Sequence, residues 1–203
     1  MLRETKNRFG SVNELGVLEM TSSGFQEVKN PSLIFIESGN TEVSGSVIGC
    51  VIEGSRSFLV DLQALVSKTV FGYPQRKTSG FDLNRLSVLS AVLSKRTKIN
   101  LTTQDIILNI VGGLKISDPA LDLAAVAAII SSNFDKNFSR ETLVLGEVGL
   151  GGEIRNVSRL EMRLMEAERL GFKSAIIPDV DVKAGKLKLI KIKNLGDLIG
   201  LIK

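Results

Sequence analysis

Gly112-Gly113-Leu114-Lys115-Ile116-Ser117-Asp118-Pro119-Ala120-Leu121-Asp122-Leu123, running on through Ala124-Ala125-Val126-Ala127-Ala128-Ile129-Ile130, is the stretch on which the reading of this chain turns. Two adjacent glycines let the backbone take positive φ. Asp118 is a helix N-cap by residue type, and Pro119 falls at the first helical position, where its missing N–H costs nothing. The helix predicted after it is apolar on nearly every side and so belongs in a core. A buried helix whose N-terminus opens on a glycine loop can seat a nucleophile or an anion. The residue after Pro119 is Ala120, which carries no reactive atom. The stretch has the layout of an active site without its chemistry.

The pattern around it reads as alternating strands and helices. Upstream, Asp105 to Val111 is a strand that ends in the glycine loop. Before that, Gly45 to Gly54 and Phe58 to Val66 form a hairpin about the turn Glu53-Gly54-Ser55-Arg56. Leu33-Ile34-Phe35-Ile36 reads as a further short strand. Asp82 caps a helix whose apolar stripe is Leu86, Leu89 and Leu93 and whose end is Lys95-Arg96-Thr97-Lys98, cations suited to a helix C-terminus. Downstream, Thr142 to Val148 is a strand. A helix from Ser158 to about Leu170 follows, with Leu160, Leu164 and Ala167 inward. Ala175 to Pro178 is a strand, Leu187 to Ile192 alternates as an edge strand with lysines outward, and Asn194 to about Leu201 makes a closing helix. The fold class expected is α+β, an α/β sandwich of two layers with βαβ units.

Composition narrows the chemistry. The chain has 203 residues, 43% hydrophobic and 24% charged, with a net charge of +4. There is no histidine, which removes Ser-His-Asp and Cys-His catalysis and histidine metal sites. A serine hydrolase here would need a lysine base. Cys50 is the one cysteine and reads as a buried strand residue, in keeping with a reducing cytoplasm. No apolar run is long enough for a membrane span, the first residues lack a secretory h-region, and no P-loop motif occurs.

Two clusters of cations flank the helix capped by Asp82: Arg76 and Lys77 in an irregular loop beside Tyr73, and Lys95, Arg96 and Lys98 at its end. Arg85 lies on the helix itself. Together they are the candidate DNA-binding set, able to neutralise phosphates and release counterions. No base-reading motif accompanies them, so binding should be independent of sequence. The bland alternative is a solvated face. Ser158-Arg159-Leu160-Glu161 reads as a capping box, which gives Glu161 a structural role, and Asp122 sits in a helix first turn, where negative charge is favoured.

Asp118-Pro119-Ala120-Leu121-Asp122 resembles the Gly-Pro-Ser-Ala-Gly motif of the proteolytic domain of Lon proteases, with Ala120 at the position of the nucleophilic serine. Gly146-Glu147-Val148-Gly149-Leu150-Gly151-Gly152 is similar to the Lon strand and turn before the second catalytic helix. On that register the Lon lysine falls at Glu161, so both members of the Ser-Lys dyad are absent and no catalytic residue is expected. The pentapeptide Lys6-Asn7-Arg8-Phe9-Gly10 is a signature of the RadA (Sms) family of bacterial DNA-repair proteins. The chain resembles the C-terminal part of that family over nearly its whole length, less so after about Pro178.

That resemblance carries expectations. Residues 1–30 would be the remnant of a RecA-like ATPase core that includes the pentapeptide, whose basic residues serve ATP-linked work there. Residues 31–203 would be a Lon-protease-like domain without its dyad, a pseudoprotease. Magnesium and ATP, and zinc on a cysteine finger, would belong to a part upstream of this chain, which itself holds no cofactor and no metal. The expected partners are DNA, other copies in a homohexamer, and the RecA recombinase, in the cytoplasm and away from membranes. The parent would be an ATP-dependent DNA translocase or helicase that extends recombination intermediates by branch migration. Two alternatives stand beside this: an atypical peptidase using a serine such as Ser117, and a platform for protein partners alone.

Overall fold

The computed structural model describes residues 2–3, 15–16, 18–22, 24–27, 32, 36, 43–70 and 72–202. Lys6-Asn7-Arg8-Phe9-Gly10 lies outside the described residues, as does most of the boundary expected near residue 30. Near the N-terminus, β1 (Leu2–Arg3) pairs with β2 (Leu15–Gly16), and β3 (Leu18–Thr21) makes an antiparallel hairpin with β4 (Gly24–Glu27), as the alternation there implies. Ile36, expected at the end of a strand, is helical instead, as is Ser32. An apolar run that short carries no periodicity to tell the two apart.

The main body is a seven-stranded sheet. Its strands are β5 (Ser46–Glu53), β6 (Arg56–Lys68), β7 (Arg76–Ser79), β8 (Gln104–Ile110), β9 (Thr142–Val144), β12 (Ser174–Pro178) and β13 (Lys188–Ile192). They lie in the order β13-β12-β9-β5-β6-β8-β7. The β5–β6 and β6–β8 pairs are antiparallel and the remaining neighbours parallel. The β5–β6 hairpin turns at Gly54, whose φ of 62° is open to glycine. The expected strand from Thr142 to Val148 is divided. After β9 the chain leaves the sheet, and β10 (Glu147–Val148) pairs with β11 (Ile154–Arg155) in a separate small hairpin.

Among the described residues four α-helices flank the sheet: α1 (Leu83–Arg96), α2 (Asp122–Phe134), α3 (Leu160–Arg169) and α4 (Leu195–Gly200). Asp82 caps α1 by accepting from Arg85 N, and Asn194 begins α4 with a full capping box closed by Asp197. Pro119–Leu121 is a single 3-10 turn that feeds α2. Residues 122 to 131 of α2 are all buried, the outcome its apolar surround demands.

Strand side chains alternate between two cores. Val47, Val51, Val60 and Leu62 pack with α1, α2 and α4, whereas Ile48, Cys50 and Leu59 pack with Leu160, Leu164 and Ala167 of α3. The sheet is therefore covered on both faces, and the two-layer expectation is corrected to a layered α/β arrangement. Gly49 permits the close approach of the 3-10 turn that feeds α2: a Cβ there would lie 2.6 Å from Leu121 Cδ2. Cover is incomplete beyond β6. Leu65 and Ile107 are register partners on the face carrying α3, yet are 59% and 44% exposed.

Cys50 is fully buried, and burial pushes its thiol well above the ordinary range. It is expected to resist a disulfide-exchange reagent in native buffer and to react at once in denaturant. Stoichiometric labelling of the native chain within minutes would contradict this burial.

Candidate functional site

The turn at Ala120 is held from several sides. Asp118 accepts from Ala120 N at 3.0 Å and from Ile52 N at 3.4 Å, which ties it to β5. Ala120 O receives Gly146 N at 3.1 Å, and Gly146 O receives Leu123 N at 3.0 Å. The Ala120 methyl is 1% exposed and lies in the core beneath α3 with Ile48, Leu143 and Leu145. Where a nucleophile would need access to substrate, there is packed hydrocarbon.

A cleft of about 210 Å³ opens beside this turn, lined by Phe81, Asp82, Arg85, Ile116, Ser117, Asp118, Pro119 and Asp122. Ser117 is exposed there; the lining of this cleft contains no lysine, and Lys115 joins Ser117 in the adjoining cleft beside Thr78 and Gly80 with no hydrogen bond between the two among the described contacts.

The cation facing the turn is Arg163. It is 1% exposed, pairs through Nη2 with Asp118 Oδ2 at 2.7 Å, and donates from Nη1 to Cys50 O at 2.5 Å and from Nε to Ser158 O at 3.1 Å. Glu161, to which the Lon register led, lies on the solvent side of the same helix. Two positions along a helix are roughly 200° apart, so residues 161 and 163 cannot share a face. The capping box expected at Glu161 is also absent. Arg159 occupies the N-cap with φ 51° and makes no side-chain cap bond. A left-handed residue redirects the backbone, and Ser158 contributes its carbonyl to Arg163 instead. No local pattern marks Arg163, because the partners that bury it, Asp118 and Cys50, lie 45 and 113 residues away in sequence.

Asp122 is likewise more than a first-turn charge. It is 1% exposed, accepts Val148 N at 3.1 Å, and holds both Nε and Nη2 of Arg85 in a fork, with the Nε contact at 2.9 Å. Arg85 Nη2 also donates to Val148 O at 2.9 Å. Burial pushes the Asp122 carboxyl up, and the Arg85 and Val148 hydrogen bonds draw it back. The same fork raises Arg85, keeping it charged. The pair locks α1, α2 and β10 together.

The structure thus separates the basic set. Arg85 is engaged with Asp122, and Arg76 donates to Gln104 O at 2.5 Å and Leu101 O at 2.8 Å, stapling β7 to the loop before β8. Burial draws the Arg76 guanidinium below its ordinary value. Lys77 is exposed next to Arg76 in β7, on the opposite face of the sheet. Lys95, Arg96 and Lys98 are exposed together at the end of α1. A groove of about 470 Å³ runs past Lys95, lined by Arg76, Lys95, Thr102, Leu101 and the small residues Ser87, Ser90, Ala91 and Ser94 of α1. Arg76, Lys95 and Leu101 therefore meet at one surface, with Lys98 exposed beyond the end of α1, whereas Arg96 donates from Nε to Leu150 O at 3.1 Å. Among the described residues no helix is long and apolar enough to cross a membrane, and no cluster of three or more metal-ligating side chains occurs.

Fold and site now define a class. The family model described as subunit ChlI of Mg-chelatase matches residues 67–181, and the chain belongs to that family. More particularly, it is similar to the C-terminal part of proteins named DNA repair protein RadA. It is 45% identical to that of Chlamydia pneumoniae over 208 residues, covering 100% of this chain and 46% of the relative. The Halalkalibacterium halodurans protein is 49% identical over 179 residues, 88% of this chain and 39% of that protein. The Bacillus subtilis protein is 45% identical over 203 residues, 98% of this chain and 44% of its own length. The chain thus spans less than half the length of these curated relatives.

Proposed function

We propose that this chain is the Lon-like, non-proteolytic part of a RadA-type DNA repair ATPase, holding subunits together and presenting a basic surface to DNA. The observation that carries the reading is the turn at Ala120: a buried methyl stands at the nucleophile's place, and the facing cation is neutralised by Asp118. Such a site has neither an attacking atom nor a free base. The groove lined by Arg76 and Lys95, with Lys98 exposed beyond the same helix end, supplies cations for phosphate contact, and the absence of a base-reading motif in the sequence fits sequence-independent binding. The names of the relatives support a role in DNA repair.

In this reading the parent is a DNA-dependent ATPase that drives branch migration beside RecA as a hexameric ring. ATP, magnesium and zinc are held by the upstream part, and Lys6-Asn7-Arg8-Phe9-Gly10 is its ATP-linked motif. A domain freed from proteolysis keeps its oligomer contacts and its opening for DNA.

The test is binding to a mixed-sequence duplex across a salt series, together with mass by light scattering. Lys95→Ala with Lys98→Ala should weaken binding and flatten the salt slope by about 0.9 per lost phosphate contact. Unchanged affinity and slope would sink the choice of surface. Peptide release above that of a Ser117→Ala control would sink the non-proteolytic reading. A second reading, a docking platform for protein, is favoured by exposed Leu65 and Ile107 on the uncovered sheet face. A chain without DNA affinity at low salt would turn the choice toward it.

A further inference from the structure

The sheet is bare where β6, β8 and β7 continue the face that α3 covers elsewhere. Strand register sets Leu65 beside Ile107 and Ile107 beside Lys77. The three side chains therefore form one row across three strands, and all three are exposed. The row runs from an apolar pair to a cation on the edge strand. The fold turns Lys77 away from the groove that holds Arg76, because neighbours along a strand point to opposite faces.

A second exposed row lies on α3. With Leu160, Leu164 and Ala167 inward, Glu161, Met162 and Met165 are left outside, and Met165 is 67% exposed. Residues three and four apart adjoin on a helix, so these three make one patch, an acid beside two thioethers. Neither Lys77 nor Glu161 enters an ion pair among the described residues. The two rows cannot meet within one chain. Arg163 fastens the inward side of α3 to Cys50 O and Asp118, so the outer row points away from its own sheet.

We propose that the outer row of α3 in one copy docks on the open sheet row of the next, with Met162 and Met165 against Leu65 and Ile107 and Glu161 against Lys77. This rests on the subunit-holding part of the reading above and names its surfaces. Complementarity selects the occupant. The sheet row offers two aliphatic side chains and a cation, and the helix row offers two apolar side chains and an acid. DNA would bring phosphates to a face whose centre is hydrocarbon. The same face is already covered, over β5, by the apolar side of a helix, so the contact repeats a packing the fold uses. Because the two surfaces differ, each copy gives one and receives the other, a head-to-tail contact of the kind that closes rings.

The experiment is sedimentation velocity of the 203-residue chain over a concentration series, with Lys77→Glu, Glu161→Lys and the double exchange. The variants should melt with the parent, because both residues are exposed. Each single change sets like charges together and should weaken self-association about tenfold. The double exchange restores an opposite pair and should return to within about threefold of the parent. Single variants that associate like the parent, or a double exchange no better than either, would overturn the pairing and leave subunits held by another surface. A parent that stays monomeric throughout would overturn both this contact and the subunit-holding reading, with the salt series still deciding DNA binding. Loss of DNA affinity in Lys77→Glu at unchanged mass would overturn it too, giving the row to phosphate.

Discussion

Arg163→Ala is expected to lower folding stability by about 3–5 kcal/mol, the range for removing one partner of a buried pair. For a chain of this size that corresponds to a fall in melting temperature on the order of 10 °C. The guanidinium is buried and serves three acceptors: Asp118, Cys50 O and Ser158 O. Its removal strands the Cys50 carbonyl inside the sheet and leaves Asp118 with backbone donors only. Arg163→Lys should recover only part of the loss, because an ammonium cannot reach three acceptors from one fixed plane. Combining Arg163→Met with Asp118→Asn should cost less than the sum of the single changes. Urea unfolding at neutral pH measures all of these. A loss below about 1 kcal/mol for the alanine variant would mean that the pair is not the clamp between α3 and the Ala120 turn.

Arg85→Ala should cost a comparable 3–5 kcal/mol at neutral pH, and its cost should depend on pH. Asp122 remains buried and loses the partner that draws its carboxyl down. Its folded pKa then lies further above the unfolded value. The neutral acid is favoured in the folded state, so the contribution is present below the unfolded pKa and is lost as pH rises through the folded one. The variant should therefore regain stability, relative to the parent, as pH falls from neutral into the carboxylate range. A deficit that stays constant with pH would contradict an uncompensated carboxylate. Because Arg85 holds α1 against α2 and β10, any loss of DNA affinity in this variant reports on the fold first.

Residue chemistry close in sequence specified the elements. Asp82 and Asn194 cap helices because their side-chain oxygens reach N–H groups within three residues. Lysines among apolar residues marked β13 as an edge strand, and it lies at the edge with Lys188 and Lys191 exposed. The unbroken apolar run from Leu123 to Ile130 could only be a buried helix. The turn at Ala120 was legible for the same reason: Asp118 reaches Ala120 N from two residues away.

Assembly in space settled the roles of the charges. Arg85 and Arg76 look like DNA ligands beside Lys95 and Arg96, yet acceptors supplied by distant segments draw them inward. Glu161 and Arg163 exchanged importance because the rotation of α3 against β5 selects one helix face. Leu150 gained its place beside Arg96 only when the end of α1 met a loop 54 residues further on. Propensity and capping act over a few residues, so the order of letters encodes them directly. A buried charge is held by whichever acceptors the packed chain brings within hydrogen-bonding distance, and that proximity exists only after folding.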